Sequence, residues 1–488
     1  MGMLSNVKKN FIYNLAYQIL TLILPLITAP YISRTLGSEA VGRFSYTYSV
    51  AMYFSVFIML GLNNYGNRTI AAIRNDKKKV SQVFLEIYAM QFAMAIIVSL
   101  CYIFYVLFLI VDDKKLAILQ LLYVFGYIFD INWFFFGLEK FKLTVTRNVI
   151  IKLLTVICTL IFVKSPDDIY VYTIIMGGGN LISQVILWKF LKNEIELVRI
   201  SWGGIRRHFI SNLILFIPVI AVSLYKVMDK IMLGNLSTKS EVGFYEYSEK
   251  IVNILTCTIT ALGTVMLPKI SNLLALGEQK QVHAYIRKSL KFSMISASAM
   301  AFGIATVASQ FAPFFYGEEF EPCGILIASM APTIIFVSWA NVIRTQYLIP
   351  LKEDKIYIIS VLLGAVCNAS VNWLLIPHMG AVGAVIGTVI AEFVVMFYQC
   401  ARVRKELPMK EYVFDSTAYL LFGVIMYFCV IMIKRFLPLT LFPSMCIEVI
   451  AGAAIYLILC YLYMRIKDKE FLDNLLNSLS FLRSRRKK

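Results

Sequence analysis

Charge is scarce in this chain: Asp, Glu, Lys and Arg make up 16% of its 488 residues, against roughly a quarter in soluble domains. That shortage excludes an ordinary water-soluble globule, and a hydrophobic share of 59% with a mean hydropathy of +0.74 points the same way. Histidine is rarer still. His208, His283 and His378 stand far apart, none at ligand spacing, so no metal centre is expected. The nine cysteines lie singly in apolar surroundings without a C-x-x-C pair, which removes zinc sites, iron clusters and redox couples and leaves them as packing residues. Nucleophile, nucleotide and metal motifs are missing, and every connector is short. A membrane polymerase or glycosyltransferase would have nowhere to hold its chemistry, so neither enzyme activity nor a cofactor is expected. The net charge of +18 hints at nucleic acid, but the cations sit at the ends of apolar runs rather than in a soluble module, so no nucleic-acid partner is expected.

What the chain has is apolar length. A helix needs about 20 residues to cross the ~30 Å hydrocarbon core, and apolar runs bounded by charges or by Gly and Pro number fourteen, from 11–33 to 442–464. The expectation is an all-α polytopic membrane protein with about 14 transmembrane helices. The first run follows Lys8 and Lys9 as a signal peptide's would, yet it is too long for one and reads as a retained helix. With the N-terminus inside, 35 of the 47 Lys and Arg residues fall on the cytoplasmic side and 8 on the other, while Lys152, Lys226, Lys230 and Lys250 lie at membrane depth. That asymmetry places both termini in the cytoplasm. The tail Arg483-Ser-Arg-Arg-Lys-Lys488 reads as an anchor to anionic lipid.

A weak internal repeat organises the passes. Val41, Gly42, Phe44 and Tyr46 match Val242, Gly243, Tyr245 and Tyr247 at a constant offset of 201, and Arg68 meets Lys269 at the same offset. Six passes separate the copies, so both halves have the same orientation and an axis along the membrane normal relates them. The expected domains are two six-helix lobes, 1–200 and 201–408, facing each other across a cleft, then two added helices, 409–466, and a basic tail, 467–488.

Ionisable groups inside a bilayer are expensive, about 2.5–3.5 kcal/mol each on insertion scales, and so should face protein, a wet cavity or an interface. Lys226 and Lys250 each lie eight residues from the outer turn, or ~12 Å deep. Lys230 and Glu246 lie four residues in, which pairs them across adjacent helices. Lys152 is nearest the midplane. These lysines are either structural ion pairs and snorkelling side chains or cargo-binding cations. With Arg43, Arg68, Asn14 and Gln18 they form the candidate substrate-binding set, and Asp130, Asp229, Glu246, Glu249 and Glu392 are candidate coupling or ion-pair carboxylates. Trp133, Trp188 and Trp339, toward cytoplasmic span ends, read as interfacial anchors.

The segment Phe129-Asp-Ile-Asn-Trp-Phe-Phe-Phe-Gly-Leu-Glu-Lys-Phe141, followed by Arg147-Asn148, resembles a motif of Wzx-type polysaccharide flippases in the multidrug/oligosaccharidyl-lipid/polysaccharide exporter superfamily. Also similar are Ser33-Arg-Thr-Leu-Gly37, Gly263-Thr-Val-Met-Leu-Pro268 and Asn372-Trp-Leu-Leu-Ile-Pro377, and the resemblance covers the whole chain. It implies a two-lobed exporter of the bacterial plasma membrane whose cationic cavity accepts an undecaprenyl-pyrophosphate-linked oligosaccharide, with a polysaccharide polymerase of the same pathway as a partner. Tyr247-Ser-Glu-Lys250 resembles the stretch where related lipid II flippases place a cavity cation, a role Lys250 would fill. Where those flippases carry an Arg-Asp pair, this chain has Thr28-Ala29, which argues against lipid II as cargo. A cation-coupled drug or metabolite exporter is the alternative, disfavoured because cationic drugs are better held by carboxylates and aromatics.

Overall fold

The computed structural model describes residues 2–110, 112–436 and 440–473, with side chains throughout except at 2–23, 217, 218, 221, 224–226, 264 and 265. The tail beyond 473 and the side chains of Asn14, Gln18 and Lys226 lie outside the described residues. Among those described there is no strand; every element is a helix or a helical turn.

A first compact unit, Met1–Glu246, is built from α1 (Gly2–Met59), α2 (Leu62–Ile73), α3 (Lys77–Phe104), α4 (Lys114–Leu119), α5 (Leu121–Ile128), α6 (Asn132–Gly137), α7 (Phe141–Phe162), α8 (Ile169–Leu191), α9 (Trp202–Leu236) and the first turns of α10 (Lys239–Ala275). The second unit, Tyr247–Lys488, continues α10 and adds α11 (Gln279–Tyr316), α12 (Pro322–Ile343), α13 (Asp354–Met379), α14 (Ala381–Val403), α15 (Met409–Phe436) and α16 (Leu441–Lys467).

Twelve described stretches are long and apolar enough to cross a membrane. The first of them contains a break at Gly37, whose φ of 77° and ψ of 173° belong to a region that only glycine occupies at little cost, and this divides α1 into two passes. With the 35-residue α9, which is about 52 Å long, the fold is that of an all-helical polytopic membrane protein with twelve to fourteen spans. Helices rather than sheets follow from the solvent: a backbone in hydrocarbon must satisfy its own hydrogen bonds. Large apolar side chains such as Leu100, Phe108 and Phe414, 62%, 70% and 77% exposed, are then lipid-facing rather than misplaced.

The fourth pass is broken. α5 stops at Ile128 and α6 begins at Asn132, because the Asp130 carboxylate accepts the Asn132 backbone N–H at 2.9 Å and starts a new turn. A break at membrane depth frees carbonyls that lipid cannot satisfy, and side chains of neighbouring helices take them up. Gln91 Nε2 on α3 donates to Tyr127 O and Asp130 O, both at 2.9 Å. Trp188 Nε1 on α8 donates to Phe129 O at 3.0 Å. In the second unit, α11, α15 and α16 pack around Tyr419, Met426, Tyr456 and Cys460, and Ser298 Oγ donates to Tyr419 O at 2.7 Å.

Candidate functional site

Two polar clusters lie in the first unit, one at each end of its passes. At the end opposite the basic loops, Lys230 Nζ sits 2.5 Å from Glu246 Oε2, with side chains 15% and 16% exposed. This is the pair that equal depth on adjacent helices anticipates. One residue away on each helix, Tyr245 OH donates to Asp229 Oδ2 at 2.6 Å. Tyr46 OH donates to Asn235 Oδ1 at 2.7 Å, and Lys239 Nζ lies 3.6 Å above the Tyr46 ring while donating to Gly234 O at 2.7 Å. Arg43 Nε reaches Asp113 Oδ1 at 2.5 Å. Burial penalises every charge here, and each of these contacts returns part of that penalty.

The repeat is visible at the same end. A Cβ on Gly42 would run into the Lys239 carbonyl and lie 3.0 Å from Gly243 N; a Cβ on Gly243 would run into the Ser38 carbonyl and lie 3.3 Å from Gly42 N. Ser38 and Lys239 are themselves 201 apart, as are the two glycines. Two repeat-related helix starts therefore meet reciprocally, each glycine against the other copy's backbone, a local two-fold contact of the self-complementary kind.

The second cluster surrounds the broken fourth pass. Buried Arg147 on α7 donates from Nη1 to Ser183 O at 2.8 Å and from Nη2 to Asn132 Oδ1 at 2.9 Å and Asn148 Oδ1 at 2.7 Å. Asn132 Nδ2 in turn donates to Asp130 Oδ1 at 2.7 Å and Gln184 Oε1 at 3.0 Å. The Asp-Ile-Asn-Trp and Arg-Asn segments thus form one network that clamps the break against α7 and α8. Below it, Glu86 accepts Ser201 Oγ at 3.0 Å and faces His208 Nε2 at 3.4 Å, while His208 Nδ1 meets Tyr65 OH at 2.7 Å. This chain of contacts ties α2 and α3 to the start of α9.

The remaining candidates scatter. Lys152 is half-buried on α7 and Arg68 is exposed on α2; 25 residues of one pass put Arg68 on the order of 35 Å from Arg43, too far for one headgroup to touch both. Lys250 Nζ lies 4.4 Å from the centre of the Tyr247 ring, and Glu249 beside it and Glu392 on α14 are half-buried. The tryptophans correct the reading of them as interfacial anchors. Trp133 is fully buried with Nε1 donating to Gln91 Oε1 at 3.1 Å, and Trp339 is buried with Nε1 donating to Cys400 Sγ at 3.1 Å. Trp188 bonds the break itself. Each indole N–H found an interior acceptor, a side chain for Trp133 and Trp339 and a carbonyl of the break for Trp188. Sequence reasoning missed Gln91 and the Glu86–His208 pair; a lone glutamine in an apolar run was the available signal for the first.

These passes, kinks and interior charges define the class: a polytopic helical transporter fold. Its similarity to the structure titled "Lipid II flippase MurJ, inward closed conformation" extends over 93% of this chain and 98% of that one, with a TM-score of 0.73 and 17% sequence identity. The chain belongs to the family described as "Polysaccharide biosynthesis protein", whose model matches residues 7–274, and the Wzx-type resemblance of its motifs stands with that membership. A protein of Escherichia coli (strain K12) named as an O-antigen transporter is 26% identical over 355 residues, 72% of this chain and 85% of that protein. A Shigella dysenteriae protein of the same name is 23% identical over 409 residues, 81% of this chain and all of the relative.

Proposed function

We propose that this protein flips undecaprenyl-pyrophosphate-linked oligosaccharide repeat units from the cytoplasmic to the outer leaflet of the bacterial plasma membrane, by alternating access through a cationic cavity, with both termini cytoplasmic. The observation that carries the reading is membership of the polysaccharide family along 7–274, joined to relatives named for O-antigen transport. The physics is compatible. Stripping water from many sugar hydroxyls and a diphosphate makes unassisted flipping prohibitively slow, and cations held inside a protein reduce that barrier. An inside-negative potential drives the anion outward by about 2.3 kcal/mol per charge per 100 mV, so release needs only a different affinity in the two states. In this reading Lys226, Lys250 and Lys152 are the principal cargo cations, and the two lobes are 1–200 and 201–408.

Deletion of the protein should make a lipid-linked oligosaccharide accumulate on the cytoplasmic leaflet while surface polysaccharide disappears. Lys226→Ala and Lys250→Ala should each abolish the polymer with protein still in the membrane, and Arg should replace either lysine better than Gln. Unchanged lipid-linked pools after deletion would overturn the proposal.

A further inference from the structure

The helices α7 and α8 run side by side. Near the middle of the pass they touch closely, a Cβ on Gly179 having no room beside the Thr155 methyl. Between that point and the lysine-rich end, where Arg147 still reaches Ser183 O at 2.8 Å, side chains of the two helices wall an open apolar trough of about 580 Å³. Leu143, Ile150 and Ile151 of α7 and Ile186 and Phe190 of α8 wall it. Ile150 and Phe190 are 52% and 40% exposed, so the trough opens outward, away from the buried network.

We propose that this trough is a binding site for one acyl chain of an anionic glycerophospholipid in the leaflet on the lysine-rich side, with the lipid phosphate held by Lys140 and Lys142. Length is the first support. Lys142 to Ile151 is nine residues of helix, ~13 Å, close to the ~15 Å depth of one leaflet's hydrocarbon. Charge is the second: Lys140 and Lys142 line the mouth of the same trough whose walls are apolar. Lys142 is exposed; Lys140 is paired with Glu194, but with its side chain 43% exposed that pair is worth little and can yield to or share with a phosphate, unlike a buried one. The third is the inner wall. Arg147 lines the trough while its guanidinium holds Asn132, Asn148 and the Ser183 carbonyl, so a chain seated there packs on the side chain that fixes the fourth-pass break. The site is independent of which cargo the protein carries.

The test is native mass spectrometry of the full-length protein extracted from bilayers of phosphatidylglycerol, phosphatidylcholine or undecaprenyl phosphate, with unfolding temperature as a check on each variant. The wild type should retain phosphatidylglycerol about tenfold better than phosphatidylcholine, as expected for two nearby cations. Lys142→Gln should weaken that preference and Lys140→Gln/Lys142→Gln remove it, whereas Lys78→Gln/Lys79→Gln, an equal loss of charge on the same side, should not. Ile151→Trp should lower retention of both phospholipids by filling the trough. Equal retention of the two phospholipids by the wild type, an equal effect of the control pair, or preferential retention of undecaprenyl phosphate sensitive to Ile151→Trp would each overturn the proposal. Should the double variant unfold early, exposed Lys142→Gln alone decides.

Discussion

Replacing Gln91 with Leu should cost this protein about 3 kcal/mol, although the substitution puts an apolar residue into an apolar surrounding. Gln91 is fully buried, and its amide accepts from Trp133 Nε1 at 3.1 Å and donates to Tyr127 O and Asp130 O at 2.9 Å. Tyr127 O retains a long bond from Asp130 N at 3.4 Å. The indole N–H and the Asp130 carbonyl lose the partner shown here, and each buried polar group so stranded costs about 1–3 kcal/mol. Two such groups, less the gain from burying a leucine, give the figure. Chemical or thermal unfolding of the detergent-solubilised protein would measure it, with Trp133 emission as a local reporter. Phe92, the next residue on α3 and 45% exposed, supplies the control, since Phe92→Leu on the lipid face should stay within about 0.5 kcal/mol. Equal stability of the two variants would refute the claim that side chains of neighbouring helices, rather than water, satisfy the broken fourth pass.

Two further outcomes follow from the same geometry. Arg147→Met should destabilise by about 3 kcal/mol, as removal of a buried cation does, and adding Asp130→Asn should recover about 1 kcal/mol of it, because the carboxylate at the other end of the Asn132 bridge no longer needs an opposing charge; unfolding of both variants reads this directly. Gly243→Val should cost about 1–3 kcal/mol by overpacking and reduce surface polysaccharide, and combining it with Gly42→Val should be less than additive, since both side chains crowd one crossing.

Much of the architecture was legible in the amino-acid order because the membrane imposes it. Apolar runs of about 20 residues can only be helices in hydrocarbon, and matching depths on consecutive passes were enough to pair Lys230 with Glu246. The offset of 201 was readable from a handful of residues, but its physical meaning, glycine against backbone at Gly42 and Gly243, was not, because small residues in one helix do not say which helix they approach. The fourth-pass break hid for a related reason. Phe129-Asp-Ile-Asn-Trp133 is apolar enough to pass as continuous helix, and the cost of interrupting it is met by Gln91 and Trp188, residues 38 or more positions away from its start in one direction and 59 in the other. The tryptophans misled because interfacial preference is an average over exposed positions, whereas here interior acceptors hold all three indole N–H groups: Gln91 Oε1 for Trp133, Cys400 Sγ for Trp339 and the Phe129 carbonyl at the break for Trp188.

The pairing of Lys230 bears on which cations can carry cargo. An anion approaching it must compete with Glu246 Oε2, already 2.5 Å away in a site where both side chains are about 85% buried. Displacing that carboxylate would leave it buried beside a second anion, so Lys230 is better suited to holding α9 against the start of α10 than to releasing a headgroup. Lys230→Met alone should then be destabilising by about 3 kcal/mol or more, because it removes the cation 2.5 Å from the buried Glu246 carboxylate, whereas Lys230→Met/Glu246→Met, which removes both charges, should recover most of that loss and keep surface polysaccharide. Lys250→Met should lose the polymer whatever stands at 246. Unfolding and polysaccharide yield measured on the same strains separate the two roles. A stable double variant that exports nothing would assign Lys230 to the cargo machinery and sink the structural assignment.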